Sequence, residues 1–361
     1  MALTSIERVK AFLNRKPHDR IPTYEHWWDD TLTQWADRSW ITEDTDLDEY
    51  FDHDIKEQWY LNTMADLDFV PKIITEDEDT YTTLNGNGAT LRHHKHHDTT
   101  PEHIDFTVKS RAEWEELIKP KLVGAIDHRR INYDAYRKNK RIAAANDRFF
   151  CASCINVFES MHPVCGHEYM LMGMALDPDW VKDMANTYAD LIIHTSEELF
   201  AKEGVPDGMW FYEDMGFKGR PFMSPAMYKE IIQPAHKKTI DYYKSLGLPV
   251  IMHSCGYVEP LIPGMIEAGI DCLQVIEVKA GMDLLKLIDQ FGEKLSFMGG
   301  MDVRKLYTND ETEIERELIA KLPTAMKHNG YALHSDHSIP NTVDITSYEY
   351  FLQRGRELGK Y

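Results

Sequence analysis

Pro249-Val-Ile-Met-His-Ser-Cys-Gly256 is the stretch from which the rest of the chain can be ordered. Its apolar half, Pro249 to Met252, has the texture of a buried strand, and Gly256 ends it. Alternate side chains of a strand share a face, so His253 and Cys255 should stand together where the strand runs out. An imidazole and a thiol so placed are ligands of the kind zinc prefers. The same two residues also suit a plain wall, with Cys255 a small buried hydrophobe and His253 hydrogen-bonded.

The stretch recurs as a rhythm. Strands are expected at 23–29, 148–158, 207–216, 249–256, 268–277, 294–302 and 330–337. Helices are expected at 4–14, 168–203, after Ser224-Pro225, and at 258–268, 282–291, 311–328 and 347–358. Strands alternating with helices at this spacing mean parallel βα units. No GxGxxG or Walker loop opens any helix, which disfavours a nucleotide-binding doubly wound sheet. The expected class is therefore α/β: a (β/α)8 TIM barrel, irregular in places, forming a single domain over 1–361. Residues 31–65 read as helical. Residues 69–106 read as an antiparallel β-hairpin insertion, with a tight turn at Asn85-Gly-Asn-Gly88. The insertion carries His93-His-Lys-His-His97, which alternation spreads over two faces, so it reads as solvated surface rather than one metal site.

Composition narrows the function. The 361 residues carry a formal charge of −20, which argues against nucleic acid, whose phosphates demand a basic face, and equally against an anionic membrane surface. No apolar run is long enough to span a bilayer, and the first residues lack the apolar core of a signal peptide. Five cysteines at irregular spacing do not look like a disulfide framework, so free thiols and a cytoplasmic location are expected. Cys151 and Cys154 form one CxxC, but the two would face opposite sides of a strand.

Barrel chemistry sits at the carboxyl ends of the strands. That rule gathers residues 25–29, Cys154, Asn156, Glu213, Asp214, His253, Cys255, Glu277, Asp302, Asp336 and His337 at one mouth. Tyr24, Trp27 and Trp28 suit the wall of a pocket for a planar ligand, with Asn156 beside them. A catalytic zinc needs three protein ligands and an open position. His253 and Cys255 supply two; His337 is the expected third, with Asp336 nearly as well placed and Glu213 or Asp214 as a possible carboxylate ligand. Glu213 and Asp214 are also the candidate acid–base pair.

In combination these motifs resemble the uroporphyrinogen decarboxylase superfamily. The likeness rests on Glu7-Arg-Val-Lys-Ala-Phe-Leu-Asn-Arg-Lys-Pro-His-Asp-Arg-Ile-Pro22, Glu213-Asp-Met-Gly216, Ser224-Pro225, His253-Ser-Cys-Gly256, Pro260-Leu-Ile-Pro-Gly-Met-Ile-Glu-Ala-Gly-Ile-Asp271, Ala280-Gly-Met-Asp283, Gly299-Gly-Met-Asp302 and Asp336-His-Ser-Ile-Pro340. It covers nearly the whole chain and implies a (β/α)8 barrel with a hairpin insertion. True decarboxylases of the superfamily grip substrate carboxylates with an arginine-rich N-terminal segment. Here the matching place, Tyr24-Glu-His-Trp-Trp-Asp-Asp30, holds no arginine. The other branch, the cobamide-dependent methyltransferases, includes members that bind zinc through a His-x-Cys pair and a later cysteine. His253 and Cys255 match the pair, and the later cysteine falls at His337. The resemblance thus implies a zinc enzyme that moves a methyl group from a methoxylated aromatic substrate to cobalt(I) of a corrinoid (cobalamin) on a separate partner protein. It leaves open the reverse partner choice, methylcorrinoid to a thiol such as coenzyme M, and a metal-free decarboxylase.

Overall fold

The computed structural model describes residues 3–96 and 100–361; His97, the last of the histidine tract, lies outside them. Thirteen strands occur among the described residues: β1 (Ile55–Trp59), β2 (Lys72–Glu76), β3 (Thr80–Leu84), β4 (Ala89–His94), β5 (Glu102–Phe106), β6 (Phe149–Ile155), β7 (Gly208–Tyr212), β8 (Gly216–Phe217), β9 (Arg220–Pro221), β10 (Val250–Ser254), β11 (Cys272–Val275), β12 (Ser296–Gly299) and β13 (Tyr331–Ala332). Seven of them form one parallel sheet in the order β1-β6-β7-β10-β11-β12-β13.

The gap between β13 and β1 is filled by an extended stretch near residues 22–27. Leu333 N–H donates to the Pro22 carbonyl at 2.8 Å, Tyr24 N–H to the Leu333 carbonyl at 3.2 Å, and Asp54 N–H to the Thr23 carbonyl at 3.0 Å. These bonds close the sheet into an irregular (β/α)8 barrel. Strand alternation sorts its core. Ile55, Phe149, Cys151, Trp210, Ile251, Cys272, Met298 and Ala332 point inward, where Val9, Phe12 and Leu13 of the helix Ser5–Leu13 meet them. Their neighbours Phe150, Met209, Phe211, Val250, Met252, Leu273 and Phe297 face the surrounding helices. Cys151 therefore lies inside and Cys154 outside, as alternation requires.

Two readings of the sequence are corrected. Residues 31–65 are not all helical: after the helices Asp29–Asp37 and Leu47–Tyr50 comes β1. Its sequence, Ile55-Lys-Glu-Gln-Trp59, hides a strand because polar partners satisfy it. The Glu57 carboxylate accepts from the Tyr24 hydroxyl at 3.0 Å and the Tyr212 hydroxyl at 2.9 Å, and Lys56 pairs with Asp46 and Asp48. The second correction concerns β6, which stops at Ile155; the helix Val157–Leu176 opens directly behind it, not at 168.

The insertion is a four-stranded antiparallel sheet, β2-β3-β4-β5. Asn85 Oδ1 shapes its tight turn by accepting from the N–H groups of Asn87 and Ala89. The His93 ring stacks on Tyr81, while His94 and His96 are exposed. No helix among the described residues is long and apolar enough to cross a membrane.

Candidate metal centre at the strand ends

β7 and β10 are parallel neighbours, with Tyr212 opposite His253. The next residues of both strands bring three side chains together. The ligand atoms of Asp214, His253 and Cys255 lie within 4.8 Å of one another. His253 Nε2 is 3.1 Å from Cys255 Sγ and 3.3 Å from Asp214 Oδ1. On the far side of the ring, His253 Nδ1 bonds the Gln274 side-chain oxygen on β11, which turns Nε2 toward the thiol. Asp214 Oδ1 also accepts the Cys255 N–H at 2.8 Å.

Two glycines let the strand ends meet. Gly256 has φ +79°, and a Cβ there would collide with the Gly216 backbone; a Cβ at Gly216 would collide with the Cys255 carbonyl. The β8–β9 hairpin thus lies directly on the end of β10. Beside it opens a cleft of about 350 Å³ lined in part by Phe217, Lys218, Cys255, Glu277 and Lys279.

The charges are coupled. Burial alone would lower the pKa of His253, but the neighbouring Cys255 and Asp214 raise it well above the usual histidine range. Burial, reinforced by Asp214, pushes the Cys255 thiol up to about 11. Burial opposes ionisation of Asp214, yet His253 holds its carboxyl below the ordinary range. Near neutral pH the thiol keeps its proton, so a cation binding there must displace it. One sulfur, one imidazole nitrogen and one carboxylate oxygen converge, and the Asp214 side chain stays 41% exposed. This donor set fits zinc with an open position.

The remaining expected site residues fall elsewhere. His337 is not in the convergent set; its ring stacks on Trp28 with centroids 5.7 Å apart, and Asp214 stands in the third place. β13 is only two residues long, so alternation cannot be carried from Ala332 out to His337. The buried Asp336 carboxylate accepts from Val278 N–H at 2.8 Å and Val303 N–H at 2.7 Å, tying two mouth loops together. Glu213 points away from Asp214. Fully buried, it accepts from Phe158 N–H at 2.7 Å and Glu159 N–H at 3.0 Å, and it meets the His236 ring. It caps the helix Val157–Leu176 from inside the core, where three protein partners share its two oxygens. Tyr24 lies inside the barrel, and Trp27 stacks on His53 and Phe51. Asn156 is fully buried, with its Oδ1 accepting from the Thr239 hydroxyl.

Glu159 escaped the sequence reading. It sits in the first turn of the helix that follows β6, three residues beyond Asn156, and only the true start of that helix reveals it. Burial, then the negative charges of Asp214 and Glu213, push its carboxyl well above the ordinary range. Its Oε1 lies 2.9 Å from His162 Nε2, and its Oε2 is buried without a hydrogen-bond partner among the described residues.

Residues 93–358 match the family described as Uroporphyrinogen decarboxylase (URO-D). A methylated-thiol–coenzyme M methyltransferase of Methanosarcina mazei is 26% identical over 215 residues, which is 60% of this chain and 52% of that protein. The chain therefore spans about half the length of this curated relative. The solved structure of a methyltransferase from Methanosarcina mazei superposes with a TM-score of 0.70 at 14% identity, over 98% of this chain and 99% of its own. That likeness is one of fold.

Proposed function

Since the chain belongs to the uroporphyrinogen decarboxylase (URO-D) family, we propose that it serves the methyl-transferring branch of that family and not the decarboxylating one. The observation that carries this reading is the convergence of Asp214, His253 and Cys255 beside a cleft. A decarboxylase of carboxylate-rich substrates needs cationic clamps, and Tyr24-Glu-His-Trp-Trp-Asp-Asp30 offers none. The substrate is a small methoxylated aromatic compound, and the methyl acceptor is cobalt(I) of a corrinoid carried by a separate protein. Held by His253, Cys255 and Asp214, zinc supplies Lewis acidity where negative charge develops on the leaving group.

The chain's own residues do the rest. Gln274 fixes the His253 ring, and Asp214 orders the Cys255 backbone. Phe217 offers an apolar face to an aryl ring, and Lys218 and Lys279 stand at the cleft for an anionic ring substituent. Glu159, kept protonated beside Asp214, gives its proton to the departing oxygen. An aryl oxide or alkoxide needs such an acid more than a thiolate does, which favours an ether substrate.

A second reading is methyl transfer involving a thiol, supported by the name of the 26% identical relative. Transfer to reduced cobalamin, followed by its visible absorption, separates the two when methoxyarenes and methyl thioethers are offered in parallel. Turnover of methoxyarenes supports the ether reading. Turnover of thioethers alone replaces it with the thiol reading, and no methyl transfer from either class sinks both.

A further inference from the structure

A second constellation sits where the insertion meets the barrel. The helix Val157–Leu176 breaks at Gly166 (φ 69°, ψ 161°), just after Pro163. In an unbroken helix, residues 162 and 167 would point about 140° apart. The break cancels that divergence, and the rings of His162 and His167 stack with centroids 4.4 Å apart and planes 16° apart. The insertion brings the third ring. Phe106 of β5 packs on Gly166, where a Cβ would collide with it, and His103 of the same strand reaches both stacked rings, at 5.7 and 6.1 Å between centroids. One ligand nitrogen from each of His103, His162 and His167 lies within 4.8 Å of the others.

The surroundings favour a cation. His162 Nε2 faces Oε1 of the Glu159 carboxyl at 2.9 Å, while its Nδ1 is buried and unpartnered among the described residues. An acceptor oxygen behind one ring nitrogen, with the other nitrogen free, is how proteins orient a metal-binding imidazole. Burial holds all three rings below the usual histidine range, His162 at about 4 although the charges of Asp214 and Glu213 oppose the shift; His162 lowers His103 further, and both of these rings lower His167. They are neutral near pH 7, with lone pairs available. In the stack those lone pairs lie in parallel planes, so binding turns the rings about χ2 to converge.

We propose that His103, His162 and His167 form a second metal site, which takes one borderline divalent cation such as Zn2+ through three imidazoles and clamps the insertion to the barrel. The site is independent of the methyl-transfer reading. It nevertheless touches that chemistry, because the carboxyl behind His162 belongs to Glu159.

The test is a Co2+ titration of chelator-stripped full-length protein, followed by optical absorption. Two equivalents are expected to bind. Only the one at Cys255 gives a thiolate-to-cobalt charge-transfer band; the three-imidazole site gives ligand-field bands alone. His167→Ala and His103→Ala should each remove one equivalent and keep the charge-transfer band. Cys255→Ser should remove the band and keep the other equivalent. Near-ultraviolet circular dichroism checks that each variant is folded, and His103, on a half-buried strand position of the insertion, is the more permissive of the two. Binding by the parent of only the equivalent that carries the charge-transfer band, or of two equivalents by both histidine variants, overturns the proposal. Absence of the charge-transfer band in the parent would instead count against the Cys255 site, so the two failures are distinguishable.

Discussion

Glu213→Ala separates a structural carboxylate from a chemical one. In the parent the carboxylate is fully buried and serves two backbone donors of the helix start, Phe158 and Glu159, together with the His236 ring. Alanine leaves all three without an acceptor. A buried donor left unsatisfied costs about 1–3 kcal/mol. The three donors share one carboxylate, so their losses do not simply add. A net destabilisation of about 3–5 kcal/mol is expected, or roughly 4–7 °C in melting temperature for a chain of this size. Glu213→Gln keeps one acceptor oxygen but sets an amide N–H against a donor, and should lose about half as much. Thermal melts by circular dichroism give the stability, and methyl transfer measured well below the lowered melting point gives the function. Reduced stability with residual turnover is the expected pair. Abolished turnover at an unchanged melting temperature would refute the structural role and return Glu213 to the chemistry.

Gly256→Ala forces a side chain into a left-handed backbone and against Gly216. It should lower stability by about 2–4 kcal/mol and weaken metal binding, as read by urea unfolding and metal titration; a variant as stable and as tight-binding as the parent contradicts the packing described. Zinc affinity should rise with pH. The Cys255 thiol, held at about 11, must lose its proton on binding, so log K should climb by about one per pH unit across the neutral range. A protonated His253 ring steepens the rise, and competition against a chromophoric chelator that shows a flat profile would count against a thiolate ligand. Glu159→Gln should reduce ether turnover by about 10²–10³-fold with the zinc at Cys255 retained; unaltered turnover rules Glu159 out as the proton donor.

What could be read beforehand followed the reach of simple periodicity. The run Val250 to Met252, closed by Gly256, displays its strand openly, and period-two alternation alone sets His253 beside Cys255 and divides Cys151 from Cys154. The insertion announced itself through Asn85-Gly-Asn-Gly88. Periodicity failed wherever tertiary partners replaced apolar side chains. β1 is disguised by Lys56 and Glu57, whose partners come from residues 24, 46, 48 and 212. His337 was extrapolated along a strand that ends at Ala332. Choosing between Glu213 and Asp214 required knowing that β7 ends at Tyr212 and that the helix start at Val157 lies behind Glu213. The triad of His103, His162 and His167 depends on the break at Gly166 and on a strand some sixty residues away, neither of which local spacing displays.

The most direct measurement is the zinc content of protein purified without chelator, compared with that of Cys255→Ser and His253→Ala, with zinc-edge X-ray absorption on the parent. The account predicts that each variant holds one equivalent fewer than the parent, and that the parent shows a sulfur neighbour at about 2.3 Å which Cys255→Ser lacks. Undiminished zinc in both variants, or no sulfur around the metal, would contradict it.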